Sequence, residues 1–248
     1  MREESINWGR KIGVLTPATN LTVEEELWSM RQPGATLATA RIVIEQVQWR
    51  EPADLRRFVE GVVAAIPAAA AQAAQAAPDL LLLGISISVL WDGLGGNQAL
   101  KARIREQTGL ELVTPVDALE RALRLFGAAK IGVVTPYPEL ADGKVVEFFA
   151  ELGVEVLAQR GLRCRSSLEI GEVAAEPIRQ AFAEVCVPGV EALVQLGTDL
   201  KAGRVGAQAE AELGVPVICV NPATWWHALR SLGISAPIEG WGALLARH

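Results

Sequence analysis

Two stretches of this chain nearly repeat each other: KIGVLTP at Lys11–Pro17 returns as KIGVVTP at Lys130–Pro136. Two further pairs follow in the same order, LLLLGIS at Leu80–Ser86 with ALVQLGTD at Ala192–Asp199, and ALRLFG at Ala122–Gly127 with ALRSLG at Ala228–Gly233. A duplication restricts the chain to folds built from two like halves. The repeated units are apolar runs that end in Gly, Thr, Ser or Pro, the pattern of buried parallel strands opening into loops. Two sets of strand ends imply two loop clusters, and a cleft between them is the expected site.

Between these anchors, strands alternate with helical stretches. In the first copy the strands are Ile12–Thr16, Leu37–Val43, Leu80–Leu83 and Leu110–Thr114, with helices after Asn20–Thr22, over Asp54–Ala77, over Gln98–Gln107 and over Val116–Phe126. Pro67 is expected to kink or divide the alanine-rich helix. In the second copy the strands are Ile131–Thr135, Val154–Leu157, Leu193–Leu196 and Val215–Val220. Its helices fall near Lys144–Leu152, Pro177–Cys186 and Val205–Leu213, with a last one at Trp225–Leu232 capped by Thr224. Alternation of this kind predicts an α/β fold in which parallel sheets carry helices on both faces. The repeat places the last helix beside Asp117–Phe126, so the expected division is 1–115 plus 223–248 against 116–222.

Composition removes several function classes. Half of the 248 residues are hydrophobic, enough for a substantial core, and the net charge of −6 comes without a Lys/Arg block, which argues against nucleic acid. The polar start MREESINWGRK has no signal-peptide core and no long apolar run follows, so the expectation is a soluble cytoplasmic protein without membrane contact. Cys164, Cys186 and Cys219 are odd in number and widely spaced, and His227 and His248 are the only histidines. That predicts neither a disulfide framework nor a metal site. The Gly93–Gly96 cluster matches no phosphate-binding loop.

Four strand ends carry the candidate chemistry: Thr16–Asn20, Gly84–Ser88, Thr135–Tyr137 and Gly197–Leu200. Glycine admits a ligand close to the backbone, while Ser, Thr, Asn and Tyr supply neutral donors, a combination suited to a small carboxylate. Taken singly, each loop also reads as ordinary capping and turn residues. Large aromatics near these loops, Trp91 with Trp225 or Trp226, are candidates for an apolar wall.

The order of TPATN, GISISVLWDG, TPY, RCRSSLEIG (Arg163–Gly171), GTDL and GVPVICVNPATWWHAL (Gly214–Leu229) resembles the aspartate/glutamate racemase superfamily, in its maleate cis–trans isomerase and arylmalonate decarboxylase branch. The resemblance implies two pseudo-symmetric Rossmann-like (flavodoxin-like) halves with the site in the cleft between them, no cofactor, and a possible homo-oligomer. It also implies that racemases use a cysteine from each half, maleate isomerases a cysteine nucleophile, and the decarboxylases only the second cysteine, as proton donor. Here Gly84 fills the first slot and Gly197 the second, or Leu196 in a register shifted by one, so both thiols are missing. The carboxylate cradle that the resemblance implies is Pro17, Asn20, Gly84, Ile85, Ser86, Tyr137, Gly197 and Thr198, with Ile85 standing where a Thr donor is usual.

Without thiols, two-base racemisation is disfavoured, whereas decarboxylation requires only a desolvated leaving carboxylate, fixed donors for the enolate and one proton source. Asp199 is the first candidate for that source and Tyr137 the second; capping of the helix before Leu200–Val205 is the alternative role for Asp199. The expected function is a decarboxylase or isomerase acting beside a carboxylate of a small mono- or dicarboxylic acid, decarboxylation favoured. A non-catalytic carboxylate binder is the alternative, then an isomerase or racemase with other acid/base groups. His227 is expected to be structural.

Overall fold

The computed structural model describes residues 9–248; the polar segment 1–8 lies outside the described residues. The chain runs β1 (Arg10–Pro17), α1 (Thr22–Ser29), β2 (Ala35–Ile42), α2 (Pro52–Ala74), β3 (Leu80–Leu83), α3 (Ile87–Trp91), α4 (Gly93–Thr108), β4 (Leu112–Val113) and α5 (Pro115–Phe126). It then repeats the pattern with β5 (Lys130–Thr135), α6 (Asp142–Glu151), β6 (Glu155–Gly161), α7 (Ser167–Gly171), α8 (Ala175–Val185), β7 (Ala192–Gln195), α9 (Gly203–Leu213), β8 (Val217–Cys219) and α10 (Val220–Ser231). A short α11 (Ala243–Arg247) ends it.

The two sheets have the same topology. One is ordered β2-β1-β3-β4 and the other β6-β5-β7-β8, every pairing parallel. Burial on both faces explains why β3 and β7 read as unbroken apolar runs instead of alternating. In each sheet the chain leaves the central strand for one neighbour and returns on the other side. A crevice therefore opens at the carboxyl ends of β1 and β3, and again at β5 and β7. The glycine inside the KIGV repeat also has a packing reason. A Cβ on Gly132 would lie 2.3 Å from the carbonyl oxygen of Val185 at the end of α8, so helix and strand touch through bare backbone.

Helix α2 begins with Pro52 at its first turn and a capping box between Glu51 and Asp54. Contrary to expectation, Pro67 does not divide it. Leu55, Phe58, Val59, Val62, Ile66, Ala69, Ala70 and Ala73 form one buried stripe on both sides of the proline, and that packing outweighs the single backbone bond the proline forfeits. A second correction concerns the end of the repeat. The strand stops at Cys219 and α10 starts at once, because Pro222 falls in a first turn, where an amide hydrogen has no intrahelical acceptor in any case. Thr224 is therefore interior to α10, its hydroxyl donating back to the Val220 carbonyl (2.7 Å), and is not a cap.

Helix α10 packs on α5, and Trp225 donates from its indole to the Met30 carbonyl at the end of α1 (3.0 Å). His227 sits at the α5–α10 junction, its Nδ1 3.0 Å from Arg121 Nη1. Burial first, then the Arg121 charge, push its pKa down to about 4. One connected cluster of buried apolar side chains runs through both sheets. Among the described residues, no helix is long and apolar enough to cross a membrane.

Candidate active site

The strand-end loops of the two sheets meet. After β1 the chain turns at Pro17–Asn20, and Asn20 caps α1 by accepting from the Val23 amide (3.0 Å). From there its Nδ2 donates to Thr198 Oγ1 in the opposite loop (3.1 Å), while Thr198 donates to the Gly84 carbonyl (3.0 Å). Thus Gly84 and Thr198 face each other across the junction. Beside them Ser86 Oγ lies 2.9 Å from Tyr137 Oη and accepts from the Gly197 amide (3.1 Å).

These contacts surround a cavity of about 40 Å³ lined by Pro17, Asn20, Ile85, Ser86, Tyr137, Gly197, Thr198 and Asp199; Gly84 joins them through its carbonyl. On the measure by which one water needs roughly 10–15 Å³, that is space for about three waters, the volume of a small organic acid. The rest of the wall is Thr19, Trp49, Phe58, Ile87, Ser167 and Ile170. Among the described residues no lysine, arginine or histidine lines it, so the donors an anion would meet here carry no positive charge.

Hydroxyl chemistry limits how those donors are shared. Ser86 and Tyr137 have one proton each, and a single proton occupies the bond between them, which leaves the other free to point at a ligand. Burial pushes the Tyr137 pKa far above its ordinary value, so the phenol acts as a donor and not as a base. The peptide N–H groups of Ile85, Ser86 and Thr198 have no protein acceptor among the described residues. All three residues line the cavity, on two facing loops.

Asp199 is buried against the start of α1. Its backbone carbonyl accepts from the Thr22 hydroxyl (2.9 Å) and its carboxylate from the Thr22 amide at a long 3.5 Å. It therefore caps a helix of the other sheet and not the one that follows it. Burial raises its pKa, and the contacts from Thr22 only partly offset this. Asp199 also borders an outer hollow with Leu21, Glu25, Leu168 and Lys201, so one residue lines both the cavity and the hollow outside it.

Behind the Thr198 loop lies Glu26 of α1. It is 4% exposed and accepts from the Gly203 amide and from Asn221 Nδ2, both at 2.8 Å; Asn221 also donates to the Thr198 carbonyl (2.8 Å). Burial raises its pKa to about 7 against the lowering effect of those bonds.

The aromatic wall is a correction. Trp91, Trp225 and Trp226 do not line the cavity; Trp49 and Phe58 do, with ring centroids 5.2 Å apart in an edge contact. Trp49 arrives on the segment after β2, and Ser167 and Ile170 arrive from α7 after β6, the equivalent place in the second sheet. The two segments join over the site, with the Trp49 amide donating to the Arg165 carbonyl (2.6 Å) and Ser167 to Gln46 Oε1 (2.7 Å). Neither segment belongs to the repeated stretches, and the docking of the two sheets is what brings them together. The cysteines lie apart from the lining: Cys219 donates to the Ala202 carbonyl (3.3 Å), and burial pushes the Cys164 thiol up to about 11.

Gly197 has φ +91°, and a Cβ there would come within 2.3 Å of Pro136 Cγ. No side chain, a cysteine included, fits this backbone without strain. Gly197→Ala is expected to lower stability by about 2 kcal/mol, from the left-handed backbone and the clash together. Chemical denaturation checks this, and an unchanged midpoint would show that Pro136 moves aside at no cost.

A family model described as arylmalonate decarboxylase matches residues 51–245. Maleate isomerase of Nocardia farcinica is 28% identical over 246 residues, covering 95% of each chain. Arylmalonate decarboxylase of Bordetella bronchiseptica is 32% identical over 179 residues, covering 68% of this chain and 72% of that one. Among solved structures, a cysteine-to-serine variant of Nocardia farcinica maleate cis-trans isomerase with a covalently bound succinylcysteine intermediate superposes with a TM-score of 0.86 at 26% identity, covering 96% of this chain and 99% of the other.

Proposed function

We propose, from the premise that this chain belongs to the arylmalonate decarboxylase family, that it is a cofactor-independent decarboxylase of small malonate-type acids. The observation that carries this reading is a small cavity lined by neutral donors and apolar side chains, with no thiol in its lining. The succinylcysteine in the Nocardia relative is bonded through sulfur. Without a cavity thiol, isomerisation by that route has no nucleophile here.

Decarboxylation fits the residues present. One carboxylate of the substrate sits against the Ser86–Tyr137 pair and the amides of Ile85, Ser86 and Thr198. The other lies against Trp49, Phe58, Ile85, Ile87 and Ile170, poorly solvated. When its C–C bond breaks, CO₂ departs and the electron pair passes to the retained carboxylate as an enediolate, whose charge the fixed donors stabilise. Asp199 then gives its proton to the α-carbon and recovers one from the outer hollow; Tyr137 is the second candidate for this step. A carboxyl with a raised pKa suits an acid working near neutrality.

The direct test is incubation of the purified protein with methylmalonate and related malonates in deuterated buffer. Carbon dioxide release with one α-deuterium in the product is expected. Binding without release would instead make the chain a non-catalytic carboxylate binder, and conversion of maleate to fumarate would make it an isomerase. In an active protein, Asp199→Asn is expected to lower kcat by about 10²-fold or more. Unchanged turnover would remove Asp199 as the acid and leave Tyr137.

A further inference from the structure

The polar groups around the cavity differ in whether their bonding capacity is already engaged. Asn20 and Thr198 hold each other, and Ser167 holds Gln46. Trp49 is different. It is 3% exposed, its backbone amide is tied to Arg165 and its ring is set edge-on against Phe58. Yet its Nε1–H meets no acceptor. A buried indole usually finds a partner for that donor, and leaving one unpaired is unfavourable. The hydroxyl of Thr19, also in the lining, lacks a partner too.

On the reading of the site as a malonate decarboxylase, we infer that Trp49 is its specificity-determining residue: the indole N–H receives the second, departing carboxylate. The remaining wall there is Phe58, Ile85, Ile87 and Ile170. A fixed indole donor beside Phe58 and the isoleucines, with the Thr19 hydroxyl the other unpartnered group of the lining, orients the departing group without resolvating it, which is what loss of CO₂ requires. The site therefore selects acids with two carboxylates on one carbon over those in which an alkyl group replaces one of them.

Methylmalonate and isobutyrate, which differ by that replacement alone, test this in titration calorimetry on the intact chain. The wild type is expected to bind methylmalonate at least about tenfold more tightly, and Trp49→Phe to remove most of the difference while changing isobutyrate affinity less than about twofold. In the wild type the Trp49 indole N–H resonance is expected to move with methylmalonate and not with isobutyrate, a reading that does not depend on the variant folding. Equal weakening of both acids in Trp49→Phe, an unmoved resonance, or no preference in the wild type overturns the inference. Preference with no CO₂ release overturns the proposed chemistry and leaves Trp49 in its role; failure to bind either acid overturns both.

Discussion

Ser86→Ala is expected to lower kcat for malonate decarboxylation by about 10²–10³-fold with the fold intact, the effect of removing a fixed donor from a developing oxyanion. The expectation is at the high end for a side chain of this size because Ser86 has two partners. Its oxygen accepts the Gly197 amide and shares a proton with Tyr137. Alanine releases both at once: the phenol loses the partner that orients it, and the amide loses the acceptor that fixes the second loop. Tyr137→Phe removes the other half of the pair. If the two hydroxyls act as one proton-sharing unit, each single variant falls to a similar level and the double variant falls little further. Steady-state kinetics on the three variants, with circular dichroism as the fold control, make the comparison. Retention of more than a third of wild-type kcat by Ser86→Ala would show that its hydroxyl is only a spacer, and full additivity would break the pair into two independent donors.

What was legible in the sequence follows from range. The strands of both sheets were readable because their burial is recorded in consecutive residues, and the repeat showed that the sheets share one order. The strand-end residues Asn20, Ser86, Tyr137, Thr198 and Asp199 were readable for the same reason: a loop that follows a buried parallel strand opens at the carboxyl edge whatever surrounds it. Trp49 and Phe58 were not, since one comes from the segment after β2 and the other from α2, and only the docking of the two sheets brings them to the strand ends. Proximity in sequence pointed to Trp91, Trp225 and Trp226 instead. Trp225 is bound to α1, and Trp226 lies under the Arg121 guanidinium. Glu26 was hidden by its neighbours. In Glu24-Glu25-Glu26 only the last falls in step with Val23, Leu27 and Met30 on the buried side, and helical spacing applied to each residue separately would have singled it out.

That burial gives the second large expected effect, a loss of stability on the alkaline side of neutrality. The folded chain holds the Glu26 proton up to about pH 7, whereas an unfolded chain releases it near 4.5. Between those values the native state binds more protons than the unfolded one, so unfolding becomes easier as pH rises. At about 1.4 kcal/mol per pH unit, the contribution of Glu26 is fully present below pH 4.5 and about 3 kcal/mol smaller above pH 7. For a chain of this size the corresponding fall in Tm is roughly 6–12 °C. Glu26→Gln carries no charge at any pH and keeps an oxygen for the Gly203 amide. Its amide nitrogen cannot accept from Asn221, so its Tm is expected to lie below the wild type near pH 5 and to gain on it steadily as pH rises to 8. Asp199, also raised by burial, adds a slope of the same sign to both proteins, so the difference between the curves isolates Glu26. Parallel curves from pH 5 to 8 would place the Glu26 pKa back in the ordinary range. Glu26→Leu separates charge from bonding: it removes the titration but strips both the Gly203 amide and Asn221 of their acceptor, and is expected to be less stable than Glu26→Gln at every pH. The carboxyl is therefore retained for the bonds it accepts from the second half of the chain, one of them from the residue that holds the Thr198 carbonyl, and its titration is the consequence of placing those bonds out of water.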